Sequence, residues 1–285
     1  MHSTASDSRE VPVSSSWSFI ATTKALEAAC DIWVNTGVIG LDTEFFRETT
    51  YFPRPALIQV AGAQGVSLID PLAVSDLDSL KAVLMERAVV KVMHACDEDL
   101  EVLELVTGGS VENVFDTQLA AAFAGYGFSL GYQNLVEQLF GIVLDKNETR
   151  SNWLRRPLSS AQLRYAALDA IYLLPMHDRL FREIEATGRS AWPNEELEHR
   201  RRSRSNENLL ETIYLRVRGR GKLTPEQRRV LRALCQWRET EAMVQDTPRR
   251  HLLSDGLLVK LAGIASTDVT SLEDVQGLPV GIRTR

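Results

Sequence analysis

The chain has 285 residues, 44% hydrophobic and 25% charged, with three cysteines and a formal net charge of −6. Such a length supports a sizeable apolar core, and three cysteines without close spacing (Cys30, Cys96, Cys235) exclude a disulfide scaffold and fit a reducing, cytoplasmic setting. No run approaches ~18 consecutive apolar residues, which excludes a membrane-spanning helix.

Charge is distributed unevenly along the chain. Residues 189–285 hold 18 Lys/Arg against 13 Asp/Glu, a balance of +5, so the first 188 residues carry −11 of the total −6. An acidic front and a basic tail suggest carboxylates that hold cations in the first part and phosphate contacts in the second.

In chain order, Met1–Ser16 is rich in Ser and charge and lacks the apolar run of a signal peptide, so it is expected to be a disordered tail. Trp17–Ala21 reads as a short strand. Thr23–Asn35 has helical spacing, with Leu26, Ala29, Cys30 and Trp33 on one side. Strand patterns follow at Val38–Phe46, Ala56–Ala61 and Val66–Ile69, the last two joined as a hairpin across Gly62 and Gly65. A helix over Asp76–Arg87, a strand over Val89–His94, a helix over Asp97–Val106 and a strand over Val111–Phe115 come next. Asp116 is placed to cap a helix over Thr117–Ala124. Beyond this the spacing is helical, over Leu130–Phe140 and, as one continuous element capped by Ser160, over Ser159–Ala186. Strands first, then strands alternating with helices, predict an α/β domain with a sheet of mixed strand directions.

A linker begins near Gly188, and Arg200–Arg202 falls in a helical stretch after it. Thr224-Pro225-Glu226-Gln227 is a helix start with Pro in the first turn. Helices are expected over Gln227–Glu241, Leu252–Ala262 and Ser271–Val275, making the tail a small all-helical unit. The division is therefore 1–16 tail, 17–188 sheet domain, 189–208 linker or helix and 209–285 helical domain.

Three groups of residues carry chemistry. In Leu41-Asp42-Thr43-Glu44-Phe45, strand alternation turns Asp42 and Glu44 to one face and Leu41, Thr43 and Phe45 to the other. Two carboxylates on one face repel unless a cation neutralises them, a role suited to divalent metals with oxygen ligands. An edge strand with a solvated face would produce the same pattern. In His94-Ala95-Cys96-Asp97-Glu98-Asp99, a strand ends where a helix begins. Any of the three acids can reach a metal there, or can simply oppose the helix dipole. In Tyr165-Ala166-Ala167-Leu168-Asp169, the i, i+4 spacing sets phenol and carboxylate one turn apart in apolar surroundings, so that Asp169 requires a partner. Four carboxylates and a phenol suffice for a two-metal phosphoryl-transfer site, in which the ions flank the reacting phosphate.

The series Asp42-Thr43-Glu44, His94-Ala95-x-x-x-Asp99 and Tyr165-x-x-x-Asp169 resembles the three motifs of the DEDD exonuclease superfamily in its tyrosine-bearing branch, and more closely the ribonuclease D family. The likeness extends through Thr50-Tyr51-Phe52-Pro53, Leu57-Ile58-Gln59, Leu68-Ile69-Asp70-Pro71-Leu72, Asp116-Thr117-Gln118-Leu119-Ala120 and Trp153-Leu154-Arg155-Arg156-Pro157, covering roughly Trp17–Glu185. It implies an RNase H-like sheet domain, with Asp99 rather than Asp97 or Glu98 as the ligand. It also implies two Mg²⁺ or Mn²⁺ ions held by Asp42, Glu44, Asp99 and Asp169, and release of nucleoside 5′-monophosphates from RNA 3′ ends, including tRNA precursors and single-stranded 3′ tails. Tyr165 would orient the attacking water. The tail, through Leu231-x-x-Leu234-x-x-Trp237-Arg238 and the 252–261 segment, resembles the helical HRDC domain that follows the nuclease domain in this family, here apparently incomplete. The family implies a monomer.

Candidate substrate contacts are Phe45 and Phe46 against a terminal base, with one of the two expected in the core, Gln59 at a terminal sugar or base, His94, and Lys146, Arg150, Arg155 and Arg156 toward phosphates. A departure from the family pattern stands at Asn152, where an acidic residue is more usual. A DNA 3′-5′ exonuclease and a non-catalytic nucleic-acid-binding module of the same fold are the alternatives.

Overall fold

The structure is a computed structural model that describes residues 16–145, 148, 151–204 and 210–264. The tail ahead of Ser16, Lys146, Arg150 and the helix expected over Ser271–Val275 lie outside the described residues. The chain forms two compact units, Met1–Phe46 with Pro55–Leu197, and Arg47–Arg54 with Glu198–Arg285.

In the first unit, six strands form one sheet: β1 (Trp17–Ile20), β2 (Val38–Phe46), β3 (Arg54–Gly62), β4 (Gly65–Ile69), β5 (Val90–Met93) and β6 (Val114–Asp116), in the order β1-β4-β3-β2-β5-β6. The predicted hairpin is present, with Gly62 paired to Gly65 and Ile58 to Ile69 in antiparallel register. The pairs β1–β4, β2–β5 and β5–β6 are parallel, so the sheet is mixed as the pattern of elements required.

Helices cover both faces. On one lie α1 (Thr23–Trp33), α2 (Asp78–Met85) and α3 (Asp97–Thr107), packed on Ile39, Leu41, Ile58, Val60 and Met93. On the other lie α4 (Thr117–Ala124), α5 (Tyr132–Phe140), α6 (Ser160–Ile171) and α7 (Leu173–Ala186), packed on Leu57, Ala61, Val66, Leu68 and Val92. Each fully buried Leu or Ile contributes about 1.5–3 kcal/mol, and this alternation makes the register of β2 strongly specified. A slip of one residue would send Leu41 to the layer of α6 and α7 and Asp42 into the core beneath α1–α3.

The continuous helix expected over Ser159–Ala186 is instead two helices meeting at Tyr172. The cap is Ser159 rather than Ser160: its side chain accepts the Gln162 N–H at 3.1 Å while Gln162 Oε1 accepts the Ser159 N–H at 3.0 Å, a reciprocal capping box. The segment after Gly188 is largely helical, as α8 (Trp192–Arg204).

The second unit contains two short 3-10 turns, Ile213–Arg216 and Arg220–Lys222, then α9 (Pro225–Val244), α10 (Arg249–Leu252) and α11 (Asp255–Gly263). Ile213, Val217, Leu231, Cys235, Leu253 and Leu258 form its core. The single helix expected over Leu252–Ala262 is split, because the Ser254 side chain accepts the Leu257 N–H and starts a new helix. The 47–54 segment belongs to this unit. The Tyr51 hydroxyl donates to buried Glu239 at 2.7 Å, and Asp246 Oδ1 accepts the Tyr51 and Phe52 N–H groups, each at 3.0 Å. Among the described residues, no helix is long and apolar enough to cross a membrane.

Candidate active site

The alternation of β2 builds the site. Ile39 and Leu41 enter the core beneath α1–α3, which leaves Gly40, Asp42 and Glu44 on the face covered by α6 and α7. Asp169, in the last turns of α6, meets the two strand carboxylates there. One oxygen from each of Asp42, Glu44 and Asp169 lies within 4.8 Å of the others. From the neighbouring strand β3, fully buried Gln59 donates Nε2–H to Asp42 Oδ2 at 3.4 Å.

The approach of helix to strand depends on Gly40. A Cβ at this position would lie 2.9 Å from Leu173 Cβ, at the start of α7, and 3.1 Å from Ala61 Cβ. Both neighbours are Cβ atoms fixed to backbone, so Gly40→Ala would have to push α7 off the sheet. Overpacking of this kind costs about 1–3 kcal/mol. A urea melt of this variant should show a lower midpoint with an unchanged slope. An unaltered midpoint would mean that α7 yields freely.

Converging carboxylates disfavour their own charge. Burial, followed by repulsion from Asp99, Asp169 and Glu44, pushes the Asp42 carboxyl well above the ordinary range. Burial, then Asp169 and Asp99, raises Glu44 to about 9. Burial raises Asp169 to about 7, against the opposing effect of a hydrogen bond from the Tyr165 side chain. The i, i+4 pair anticipated from spacing is therefore formed. Among the described residues, no lysine or arginine forms an ion pair with any of these acids. Oxygen-only donors, close convergence and uncompensated charge fit a hard divalent cation.

Asp99 stands apart from this trio. In the first turn of α3, on the opposite layer, its Oδ1 accepts the Thr43 hydroxyl at 2.5 Å. Alternation had turned Thr43 away from Asp42, and the contact follows from that: Thr43 reaches the layer that carries α3. Burial raises Asp99 to about 6, opposed by the Thr43 bond, and its charge still acts on Asp42 and Glu44. The turn presenting α3 is fixed by Asp116, which does more than cap α4. Its carboxylate accepts the N–H groups of Gln118 and Leu119 and also those of Ala95 and Cys96, at 3.2 and 3.1 Å. These bonds hold Ala95 in the left-handed region at φ 52°.

Several expected substrate contacts have other duties. Both ring nitrogens of His94 are engaged, Nδ1 with Thr117 Oγ1 at 2.9 Å and Nε2 with the Leu130 carbonyl at 3.0 Å, so this histidine ties β5 to α4 and to the segment before α5. Burial, the largest influence, lowers its pKa. Gln59 has no exposed surface with which to meet a sugar or base. Phe45 and Phe46 are both half-buried, so neither is the core residue that strict alternation suggested. The described register of β2 with β5 runs only from Val38 to Gly40, and the end of β2 projects past it.

Arg156, expected at a phosphate, uses all five N–H donors internally. Nε and Nη2 donate to Asp70 at 2.6 and 2.7 Å, Nη2 also to the Ala56 carbonyl, and Nη1 to the carbonyls of Trp153 and Arg155. Asp70 is only 5% exposed in its side chain. Arg156→Ala should therefore cost about 3 kcal/mol of stability, because it strands a buried charge. Denaturant titration checks this; a fully stable variant with a raised KM for RNA would restore the phosphate role. Arg155 is exposed and available to a ligand. Asn152, where the family pattern favours an acid, turns its side-chain oxygen to the Leu154 N–H at 3.2 Å.

Tyr132 was not singled out by the sequence. Its hydroxyl donates to the Leu168 carbonyl at 2.9 Å and accepts the Tyr172 N–H at 3.2 Å. Burial, then the charge of Asp169, pushes its pKa well above the usual phenol range, which places it beside the acids.

Comparison with known proteins gives a consistent picture. Residues 18–185 match the model of a 3′-5′ exonuclease family, and residues 227–284 that of the HRDC domain. The chain is similar to ribonuclease D of Pseudomonas paraeruginosa, 39% identical over 88% of this chain and 67% of the relative. It is similar also to ribonuclease D of Xanthomonas oryzae pv. oryzae, 40% identical over 82% and 64%. The chain thus spans about two thirds of the length of these curated relatives. Among solved structures, the Escherichia coli RNase D, described as an exoribonuclease involved in structured RNA processing, superposes with a TM-score of 0.83 at 34% identity, covering 93% of this chain and 71% of that one. The catalytic core of RRP6 from Trypanosoma brucei, at 22% identity and a TM-score of 0.66, shares the fold.

Proposed function

Because the chain belongs to the ribonuclease D family of 3′-5′ exonucleases, we propose that it trims RNA from the 3′ end by metal-dependent phosphodiester hydrolysis, releasing nucleoside 5′-monophosphates. The observation that carries this reading is the convergence of Asp42, Glu44 and Asp169 within 4.8 Å on one face of β2.

Asp42, Glu44 and Asp169 would hold one divalent ion, and Asp42 with Asp99 would help hold a second, either Mg²⁺ or Mn²⁺. Bound there, such ions supply neutralisation of the charge developing on phosphate and a water acidic enough to act near neutral pH. The residues of the chain do the rest. Gln59 steadies Asp42, and Thr43 steadies Asp99. Tyr165 orients the attacking water from its place beside Asp169; a phenol with a reference pKa of ~10 is better suited to positioning than to taking a proton. RNA with a 3′ extension, such as a tRNA precursor, is the proposed substrate. The exposed cations Arg216, Arg218, Arg220 and Lys222 of the helical unit are proposed to meet its phosphates. The buried free thiols of Cys30, Cys96 and Cys235 support action in the cytoplasm, and the chain is proposed to act as a monomer.

The test is a 5′-end-labelled tRNA body with a short 3′ extension, incubated with Mg²⁺ or with chelator beside matched single-stranded DNA. A ladder shortening from the 3′ end, on RNA and only with metal, is expected. Shortening of DNA alone would move the chain to the DNA exonucleases. Binding without shortening of either would reduce it to a binding module.

A further inference from the structure

The helix expected over Ser159–Ala186 is interrupted at Tyr172. In an uninterrupted α-helix the Tyr172 N–H would donate to the Leu168 carbonyl four residues back. Here the Tyr132 hydroxyl occupies that rung, accepting the N–H at 3.2 Å and donating to the carbonyl at 2.9 Å. A side chain inserted into the ladder is a recognised cause of a sharp helix bend, and it acts here beside Pro175, which has no N–H to donate to the Ile171 carbonyl. Tyr172 itself adopts φ −88° and ψ −4° between the two helices.

The location of this rung gives it consequence. Asp169 directly follows Leu168, and Tyr165 lies one turn earlier on the same helix. On the far side of the break, Leu173 makes the close approach to Gly40 on β2. The break therefore separates the turn that carries Asp169 from the turn that anchors on the strand carrying Asp42 and Glu44. The Tyr132 ring is itself held, edge-on to His94 with centroids 5.7 Å apart. His94 is fixed in turn by Thr117 and Leu130. The hydroxyl is thus delivered by a rigid support, with its donor and its acceptor both committed to the helix backbone.

We propose that Tyr132 is a positioning residue of the exonuclease site: by replacing the Leu168–Tyr172 rung, it sets the direction from which Asp169 meets Asp42 and Glu44. The proposal rests on the reading of those acids as metal ligands. It assigns Tyr132 no contact with RNA. Removing the hydroxyl lets the ordinary rung close; Pro175 still keeps the two helices distinct, but the turn that carries Asp169 moves away from the other two carboxylates.

Tyr132→Phe in the full chain keeps the ring against His94 and removes only the hydroxyl. Mn²⁺ binding followed by titration calorimetry should weaken about 10-fold, the scale seen when a group supporting a metal ligand is lost. In RNA trimming, kcat should fall about 10-fold with KM for RNA unchanged, and the metal-free variant should still melt cooperatively. Wild-type Mn²⁺ affinity and kcat in Tyr132→Phe would overturn the proposal. So would impairment confined to Tyr132→Leu, since that would assign the effect to ring packing. If Tyr132→Phe does not fold, 4-aminophenylalanine in place of Tyr132 retains the ring and a donor to the Leu168 carbonyl but offers only a weak acceptor to the Tyr172 N–H. It is expected to bind Mn²⁺ more weakly than wild type, by up to about 10-fold, and wild-type affinity there would also count against the proposal. A wild-type chain that binds Mn²⁺ yet leaves RNA intact would defeat the exonuclease reading, while the Mn²⁺ titrations would still decide the role of Tyr132.

Discussion

Asp42→Asn is expected to abolish RNA trimming, by at least ~10³-fold in kcat, while raising the melting temperature of the metal-free protein. The first effect follows from the place of Asp42 at the centre of the acids. It is the one carboxylate whose charge is disfavoured by Asp99, Asp169 and Glu44 together, and the one that would serve both ions. Loss of a single preorganised group that stabilises transition-state charge commonly removes ~10²–10³ in kcat, and a shared ligand sits at or beyond the upper end. The second effect has the opposite sign for the same reason. Without metal, folding brings Asp42 into a buried cluster of like charge, which disfavours its ionised form. Asparagine has the same shape, retains an oxygen facing Gln59 and needs no proton. Relief of about 1–2 kcal/mol would raise the melting temperature by roughly 2–8 °C in a domain of this size. The gain should shrink toward pH 4, where the unfolded carboxyl is itself protonated. Scanning calorimetry in chelator, beside the RNA assay, reads both effects. A variant that is inactive and also less stable would make Asp42 a structural residue.

Much of this site was legible before any coordinates. The period-two pattern of β2 put Asp42 and Glu44 on one face, because Ile39 and Leu41 permit only one register. The four-residue spacing of Tyr165 and Asp169 predicted a contact that is present. Local pattern was insufficient wherever two distant segments meet. Arg156 reads as a loop cation in the sequence, and only the fold brings it to Asp70, 86 residues away. Thr43 looked like a residue turned from the site, although turning from Asp42 is what brings it to Asp99. The break at Tyr172 did leave one local mark, Pro175, which has no N–H to donate to the Ile171 carbonyl; the hydroxyl that fills the Leu168–Tyr172 rung comes from 40 residues earlier in the chain and left none. Propensity and spacing describe what a segment does alone, and these residues are governed by what another segment supplies.

Metal binding should release protons and strengthen steeply as pH rises from 5 to 9. In the metal-free protein, burial and mutual repulsion raise Asp99 to about 6, Asp169 to about 7 and Glu44 to about 9, with Asp42 also well above its ordinary value. A ligand carboxyl must lose its proton before it can coordinate, so protons and metal compete for the same oxygens. For stability the sign is the reverse of the usual salt-bridged acid. Between the unfolded values near ~4 and the raised folded values, the native state holds more protons than the unfolded one. The stability of the metal-free protein therefore falls as pH rises through that window. Below about pH 4 both states are protonated and the penalty is absent; above the folded values it is fully developed. Saturating Mn²⁺ should reverse the trend, because the ions bind only the folded cluster, and they bind it best when it is deprotonated. Melting curves from pH 5 to 9 in chelator should thus slope downward and those in Mn²⁺ should separate from them increasingly with pH. Calorimetric Mn²⁺ titrations in two buffers of different ionisation enthalpy would count the protons released, with at least one expected at pH 7. Parallel melting profiles with no proton release would mean that the acids are already ionised without metal, and that their convergence is neutralised by some other means.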